Sequence, residues 1–540
     1  MTTRLKLLTT IVLLCVSPLV LADNEPTKKI KLPKTLPQTK LAPAVYVPGL
    51  TLVDYPISTT SPECKKFFNQ GLGYYYSYVY MEGARSMETA VTYDPECPMA
   101  WWGLSRALER YRKGSWKNAL KKAQELLDKA SPREKMLITA RLQWKGLIPE
   151  LKDKDARKEA AIKTLDELLA LHEDDQEAWI QRAMLAADNR THGGNVHSVP
   201  FYKALLHVNP LHPSANHELV HFYETFRRPA LGWPHAEKYI QSSPKIPHAW
   251  HMQAHLAMRL GKWDKTTDRS KKAYLLEKEY HKVQKVSPKS DRQLSHHMQI
   301  LTIALAHDGR FKEANEMVKE CRKVGYKHNT TWFGLYMDER NYEAALKIAN
   351  SYSKKSKSMD PVYMRARVYL AKNDLEKAAK EIETLEKAHE KKKKKDKRIE
   401  RYLNLTKAIL LCRKGNSEEG LKLFKELADF TANDFRSHSW GAGASVMEIW
   451  GLEALRAGHA ESAEEAFLEA IAHDPNGSVR GALGMQVLCE QQNRTEEAKL
   501  FSDLARRCWH QADPGLIEAE LTAIRSLATA NVTPKTKAEN

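Results

Sequence analysis

Cysteine is scarce in this 540-residue chain, seven in all, and none falls in a C-x-x-C or C-x-x-C-H string. That excludes a disulfide scaffold, thioredoxin-like redox chemistry and covalent haem attachment, so a packed core must supply the stability. Glycine and proline are modest at 24 each, too few for collagen-like order or for an all-β fold that turns every ten residues or so. G-x-x-x-x-G-K-[ST], G-x-G-x-x-G and G-x-S-x-G are all missing. Nucleotide-binding and α/β-hydrolase readings therefore lack their minimal motifs. After the first 22 residues no apolar run approaches the ~20 residues of a membrane span.

What is present describes a folded, helical protein. Hydrophobic residues make up 42% and charged residues 28%, enough to bury a large core. The length implies several domains or one extended array. Residues 1–22 begin with Arg4 and Lys6, continue through an apolar run from Leu7 to Leu21, and end at Ala22 before Asp23. This is the pattern of a secretory signal peptide, so the chain is expected to be exported, to the periplasm or beyond. Cleavage leaves six cysteines, of which Cys64 and Cys97, one repeat apart, are the pair best placed to form a bridge. Lys+Arg 85 against Asp+Glu 67 gives a net charge of +18, which suits an acidic partner. Outside the cytoplasm no nucleic acid is expected as that partner. Part of the excess lies in the run Lys391 to Lys395 with Lys397 and Arg398, which reads as a solvated loop or helix end.

Residues 23–62 are proline-punctuated and aperiodic, an extended leader or tether. Residues 63–527 read as helical hairpins with small residues recurring about every 34 positions, and 528–540 as a disordered tail. In the stretch from Ala444 to Asn476, Gly451, Ala463, Phe467, Ala470 and Pro475 occupy repeat positions 8, 20, 24, 27 and 32. Small residues at 8 and 20 let two antiparallel helices touch, and the proline stops the second. Phe67, Gly71, Tyr74, Gly83, Met87, Ala90 and Pro95 repeat the order near the start. These residues resemble the tetratricopeptide repeat superfamily over most of the mature chain. FFNQGLGYYYSYVYMEGARSMETAVTYDPECPMAWWG, NPLHPSANHELVHFYE and HAWHMQAHLAMRLGKW further resemble a group of uncharacterised exported bacterial tetratricopeptide proteins. The resemblance implies an all-α, right-handed solenoid of about eleven to thirteen antiparallel hairpins whose first helices line a concave face. It also implies a scaffold that holds a protein or peptide partner on that face, and no established chemistry. The aromatic groups Tyr74 to Tyr78 and Trp101-Trp102 read as helix-interface packing.

Histidine is concentrated at and just after the end of the stretch from Trp179 to Pro210, where the middle repeats run longer than 34 residues. His207, His212, His217, His221, His235, His248, His251 and His255 place eight of 21 histidines within 49 residues. Residues four apart on a helix share a face, so His217 with His221 and His251 with His255 form two imidazole pairs. With His248 they form a candidate metal site on neighbouring helices, suited to zinc, copper or nickel. His296 and His307 could extend the lining, and His212 could close the site or cap a helix. His217-Glu218-Leu219-Val220-His221 also fits H-E-x-x-H, in which Glu218 would be the general base of a zinc hydrolase. The flanks argue against that chemistry. Arg227 and Glu224 stand where a metzincin has its third histidine and its glycine, and Glu237 alone has the spacing of a gluzincin's third ligand. Three readings follow: an interaction scaffold, a metal-binding protein, and a zinc hydrolase.

Overall fold

The computed structural model describes residues 30–187, 195–352, 356–391, 396–433, 444–474 and 477–529. The expected signal peptide, most of the lysine run, Pro475 and the final residues from 530 lie outside them. Among the described residues the chain forms helices and no strand. In chain order they are α1 (Pro62–Tyr76), α2 (Tyr80–Tyr93), α3 (Pro98–Tyr111), α4 (Trp116–Glu125), α5 (Pro132–Lys145), α6 (Lys154–Leu171), α7 (Gln176–Ala186), α8 (Val199–Val208), α9 (Pro213–Thr225), α10 (Pro229–Ser242), α11 (Pro247–Arg259), α12 (Trp263–Gln284) and α13 (Arg292–His307). The array continues through α14 (Phe311–Val324), α15 (Asn329–Asp338), α16 (Tyr342–Asn350), α17 (Asp360–Ala371), α18 (Leu375–Glu390), α19 (Lys397–Arg413), α20 (Ser417–Asn433), α21 (Ser445–Ala457), α22 (Ala460–His473), α23 (Val479–Gln491), α24 (Thr495–Cys508) and α25 (Leu516–Thr529).

The sequence marks many of these boundaries itself. Proline opens α1, α3, α5, α9 and α11, where its missing N–H costs nothing. Ser61 caps α1 by accepting from the Cys64 N–H, and Ser131 with Glu134 forms a reciprocal capping box on α5. Consecutive helices pack as antiparallel hairpins, and most odd-numbered helices also touch the next odd-numbered one, which makes them the inner layer of a tetratricopeptide-like solenoid. The small-residue register has the expected steric basis. A side chain at Gly451 would overlap the Phe467 ring, and one at Gly71 would approach Met87 to 2.9 Å.

Two features go beyond a stack of repeats. The leader does not hang free: residues 30–61 run in extended form along the array. The Val45 N–H donates to Gln284 Oε1 (3.0 Å), the Leu52 N–H to the Ser242 carbonyl (2.8 Å), and the Tyr55 hydroxyl to Asp175 (3.1 Å). Second, the array closes on itself. Trp509 Nε1 donates to the His307 carbonyl (2.8 Å), and Glu520 takes both Arg340 and Arg480, so the last helices pack on α13 to α15. At the other end, the α1–α2 turn enters the inner face, where Tyr239 donates its hydroxyl to Ser77 Oγ (2.7 Å). Cys64 and Cys97 come together as expected, but as free buried thiols, with their sulfurs and an Asp94 oxygen within 4.8 Å of one another.

Candidate metal centre

Three consecutive inner helices, α9, α11 and α13, carry the histidines. His217 and His251 are 34 residues apart, as are His221 and His255, so one repeat unit places the second pair directly beside the first. His248, one turn before His251 on α11, falls between them. Ligand nitrogens of His217, His221 and His248 lie within 4.8 Å of one another, and so do those of His251, His255 and His296. The five histidines expected from sequence thus come together, but the two pairs fall into separate groups instead of sharing one four-nitrogen site. His248 completes the first group and His296, from α13, the second.

Hydrogen bonds fix which nitrogens face inward. His217 Nδ1 lies 2.7 Å from the Tyr76 carbonyl, which can only accept, so Nδ1 carries the proton and Nε2 presents its lone pair. That Nε2 is 3.1 Å from His248 Nε2. His255 Nδ1 donates to Glu224 Oε1 (3.0 Å), which leaves its Nε2 facing His251 Nε2 at 2.8 Å. Glu224 also accepts from Arg259 Nε (2.9 Å), and its other oxygen is 3.9 Å from His221 Nδ1. A carboxylate or carbonyl behind the ring is how proteins hold metal-binding imidazoles in one tautomer. His248 Nδ1 and His251 Nδ1 are buried without a hydrogen-bond partner among the described residues.

The electrostatics disfavour the charged form of His217, His248 and His251. Burial, followed by repulsion among neighbouring imidazoles, pushes His217, His248 and His251 well below the ordinary histidine range. Burial likewise takes His296 down to about 4 and His297 to about 3. Burial alone would raise Glu224, but His255 and Arg259 outweigh it and hold the carboxyl well below its usual range. Neutral imidazole is the form that binds metal.

The remaining expectations sort cleanly. His212 caps α9, its Nδ1 accepting from the Ala215 N–H, and its ring packs on Tyr76. His235 donates to Asn216 Oδ1 (2.9 Å), His307 stacks on Trp263 (4.1 Å between centroids), and His207 is exposed in the last turn of α8. Glu218 accepts from the Tyr78 hydroxyl (2.6 Å). Glu237 turns to the surface and accepts from Trp233 (2.7 Å), away from any third-ligand position. Sequence reasoning missed Tyr78, which does more than pack a helix interface. Held at φ 61° in the α1–α2 turn, it lies 4.5 Å from the His217 ring and 5.7 Å from His221, covering the first group. It also missed His297, adjacent to His296, and Glu277 behind it.

Residues 68–134 match the tetratricopeptide repeat family. No curated protein matches the chain. Among solved structures it is similar to Pseudomonas aeruginosa pilF, at 13% identity and a TM-score of 0.31, over 40% of this chain and 93% of that one. It is also similar to the Naa15/Naa10 complex bound to HypK-THB, at 14% identity and a TM-score of 0.27, over 86% of this chain and 66% of that one.

Proposed function

We propose that this is a transition-metal-binding repeat protein, with His217, His221, His248, His251 and His255 as ligands for zinc, copper or nickel. One observation carries the reading: the ligand nitrogens of three imidazoles converge within 4.8 Å in each of two groups, and His217 and His255 each turn Nδ1 to an oxygen acceptor, leaving Nε2 to face inward. An all-nitrogen donor set favours these metals over magnesium, calcium or manganese, which prefer oxygen. The test is elemental analysis of the full chain after chelator treatment and reloading, beside the His217→Ala/His251→Ala double variant. Stoichiometric metal that the variant loses supports the reading; equal background metal in both overturns it.

A second reading, an interaction scaffold for a protein or peptide partner, is supported by the family match and by the extended surfaces such arrays offer. The net charge of +18 favours an acidic partner. Over α9 and α11 the inner face carries the chain's own hairpin, so the partner surface in this reading lies elsewhere on the array. Zinc hydrolysis through Glu218 is a weaker reading, since its carboxylate is engaged by Tyr78; activity that disappears in Glu218→Gln with metal retained would revive it. Export rests on the basic start, the apolar run and the Ala22–Asp23 junction, and sequencing the mature amino terminus checks it.

A further inference from the structure

The division of the histidines into two groups has a consequence for how many ions they hold. Each group supplies three imidazoles, and three protein nitrogens with a fourth donor make the usual environment of a reactive zinc or copper ion. The groups are adjacent, with the His248 ring of the first 5.7 Å from the His251 ring of the second. Glu224 stands behind both, bonded to His255 and 3.9 Å from His221.

The third helix supplies an independent observation. His297 is 1% exposed, and neither of its ring nitrogens makes a hydrogen bond. A buried imidazole nitrogen that makes no hydrogen bond forfeits its hydration without replacing it. Its ring lies 4.4 Å from that of His251 and 6.5 Å from that of His248, so it points into the histidine groups and not towards solvent. Its Nδ1 is 3.1 Å from Glu277 Oε2, another buried atom without a hydrogen bond. Nδ1 of His297 therefore faces a carboxylate oxygen of Glu277, as His255 Nδ1 faces Glu224.

Resting on the metal-binding reading above, we infer that the centre is binuclear: His217, His221 and His248 hold one ion, and His251, His255, His296 and His297 hold a second beside it. Glu224 and Glu277 are positioning residues that set the tautomers of the ligands in front of them. Three successive repeats each contribute to the centre through their first helix, so it can form only when α9, α11 and α13 are stacked.

The test uses the full chain, stripped of metal and titrated with zinc alone, with stoichiometry read by elemental analysis after gel filtration. Two ions per chain are expected, falling to one in His217→Ala/His248→Ala and to one in His296→Ala/His297→Ala. Loading with copper(II) gives a second readout that needs no variant: two adjacent ions couple magnetically, so the parent's resonance signal should be broadened or lost, and each double variant should restore an isolated-ion spectrum. One ion in the parent, with an uncoupled copper spectrum and no change in the α13 variant, would overturn the binuclear centre while leaving the metal-binding reading intact. No ion in the parent would overturn both. Should the alanine variants lose helical circular dichroism, His296→Gln/His297→Gln and the parent's copper spectrum decide between one ion and two.

Discussion

His255 turns its Nδ1 to Glu224 Oε1 at 3.0 Å, and this single bond sets the direction in which its other nitrogen points. Removing such a partner typically costs about 10–100-fold in metal affinity while leaving the ligands in place. Glu224→Gln should therefore weaken zinc binding by about that factor, measured by competition with a chromophoric chelator. The same substitution removes the charge that pairs with Arg259, so the comparison belongs beside Arg259→Gln. An equal loss from both would assign the effect to local packing and not to the His255 tautomer.

Tyr78 covers the first histidine group from the α1–α2 turn, with its hydroxyl on Glu218. Tyr78→Ala should speed metal removal by excess chelator at least several-fold with little change in helix content, because it opens a path and leaves all ligands in place. Tyr78→Phe keeps the ring and should leave the rate near that of the parent. Equal rates for alanine and phenylalanine would show that the ring does not cover the site.

How much of this was legible in the sequence follows from what has a period. The Gly451–Phe467 contact and the 34-residue spacing of the histidine pairs are local repeats, and both are visible as strings. His296 was legible as an extension of the lining on the next first helix, whereas His297 was not, because α12 runs for 22 residues and shifts the next repeat along the chain. The packing of Tyr78 on His217 and of Trp509 on His307 joins residues far apart in sequence, and ring closure of this kind leaves no periodic trace. The leader's prolines announced its extended form, but the Gln284 and Ser242 groups that hold it are ordinary helix residues.

At Gly451 the helix interface has no room for a side chain. Valine there would drive into Phe467, which is fully buried, and overpacking of this sort costs about 1–3 kcal/mol. Gly451→Val should lower the thermal midpoint by several degrees, and adding Phe467→Leu should recover part of the loss. Additive destabilisation in the double variant would mean that the two positions are not in contact.

Cys64 and Cys97 sit as neighbouring thiols between α1 and the start of α3, both essentially without exposure. The neighbouring Cys97 sulfur, followed by burial, holds the Cys64 thiol far above its ordinary range, so oxidation should be slow. Prolonged incubation with oxidised glutathione should nonetheless remove two titratable thiols and raise stability by roughly 4 kcal/mol, as expected for closing a loop of this length. Cys64→Ser should abolish both changes. Retention of both thiols under those conditions would show that the pair cannot reach bonding geometry.

His212 offers the cleanest pH prediction, because it lies outside both histidine groups. Burial takes its ring down to about 3, whereas in the unfolded chain it titrates near 6.5. Below that unfolded value the unfolded state binds a proton that the folded state refuses, so stability is complete above about pH 6.5 and falls as pH drops towards the folded value. His235, taken down to about 4 by burial and by Lys238 and Lys203, acts in the same direction. Urea midpoints of the metal-free chain should therefore be flat from pH 8 to 7 and decline steadily from pH 6 to 5. His212→Asn isolates one group, since asparagine is a good helix N-cap and keeps the cap on α9 while removing the titrating ring. The variant should show a shallower decline by up to about 1.4 kcal/mol per pH unit, the slope of a single proton. An unchanged slope would mean that His212 takes up its proton while folded, and that the pocket around Tyr76 is open to water.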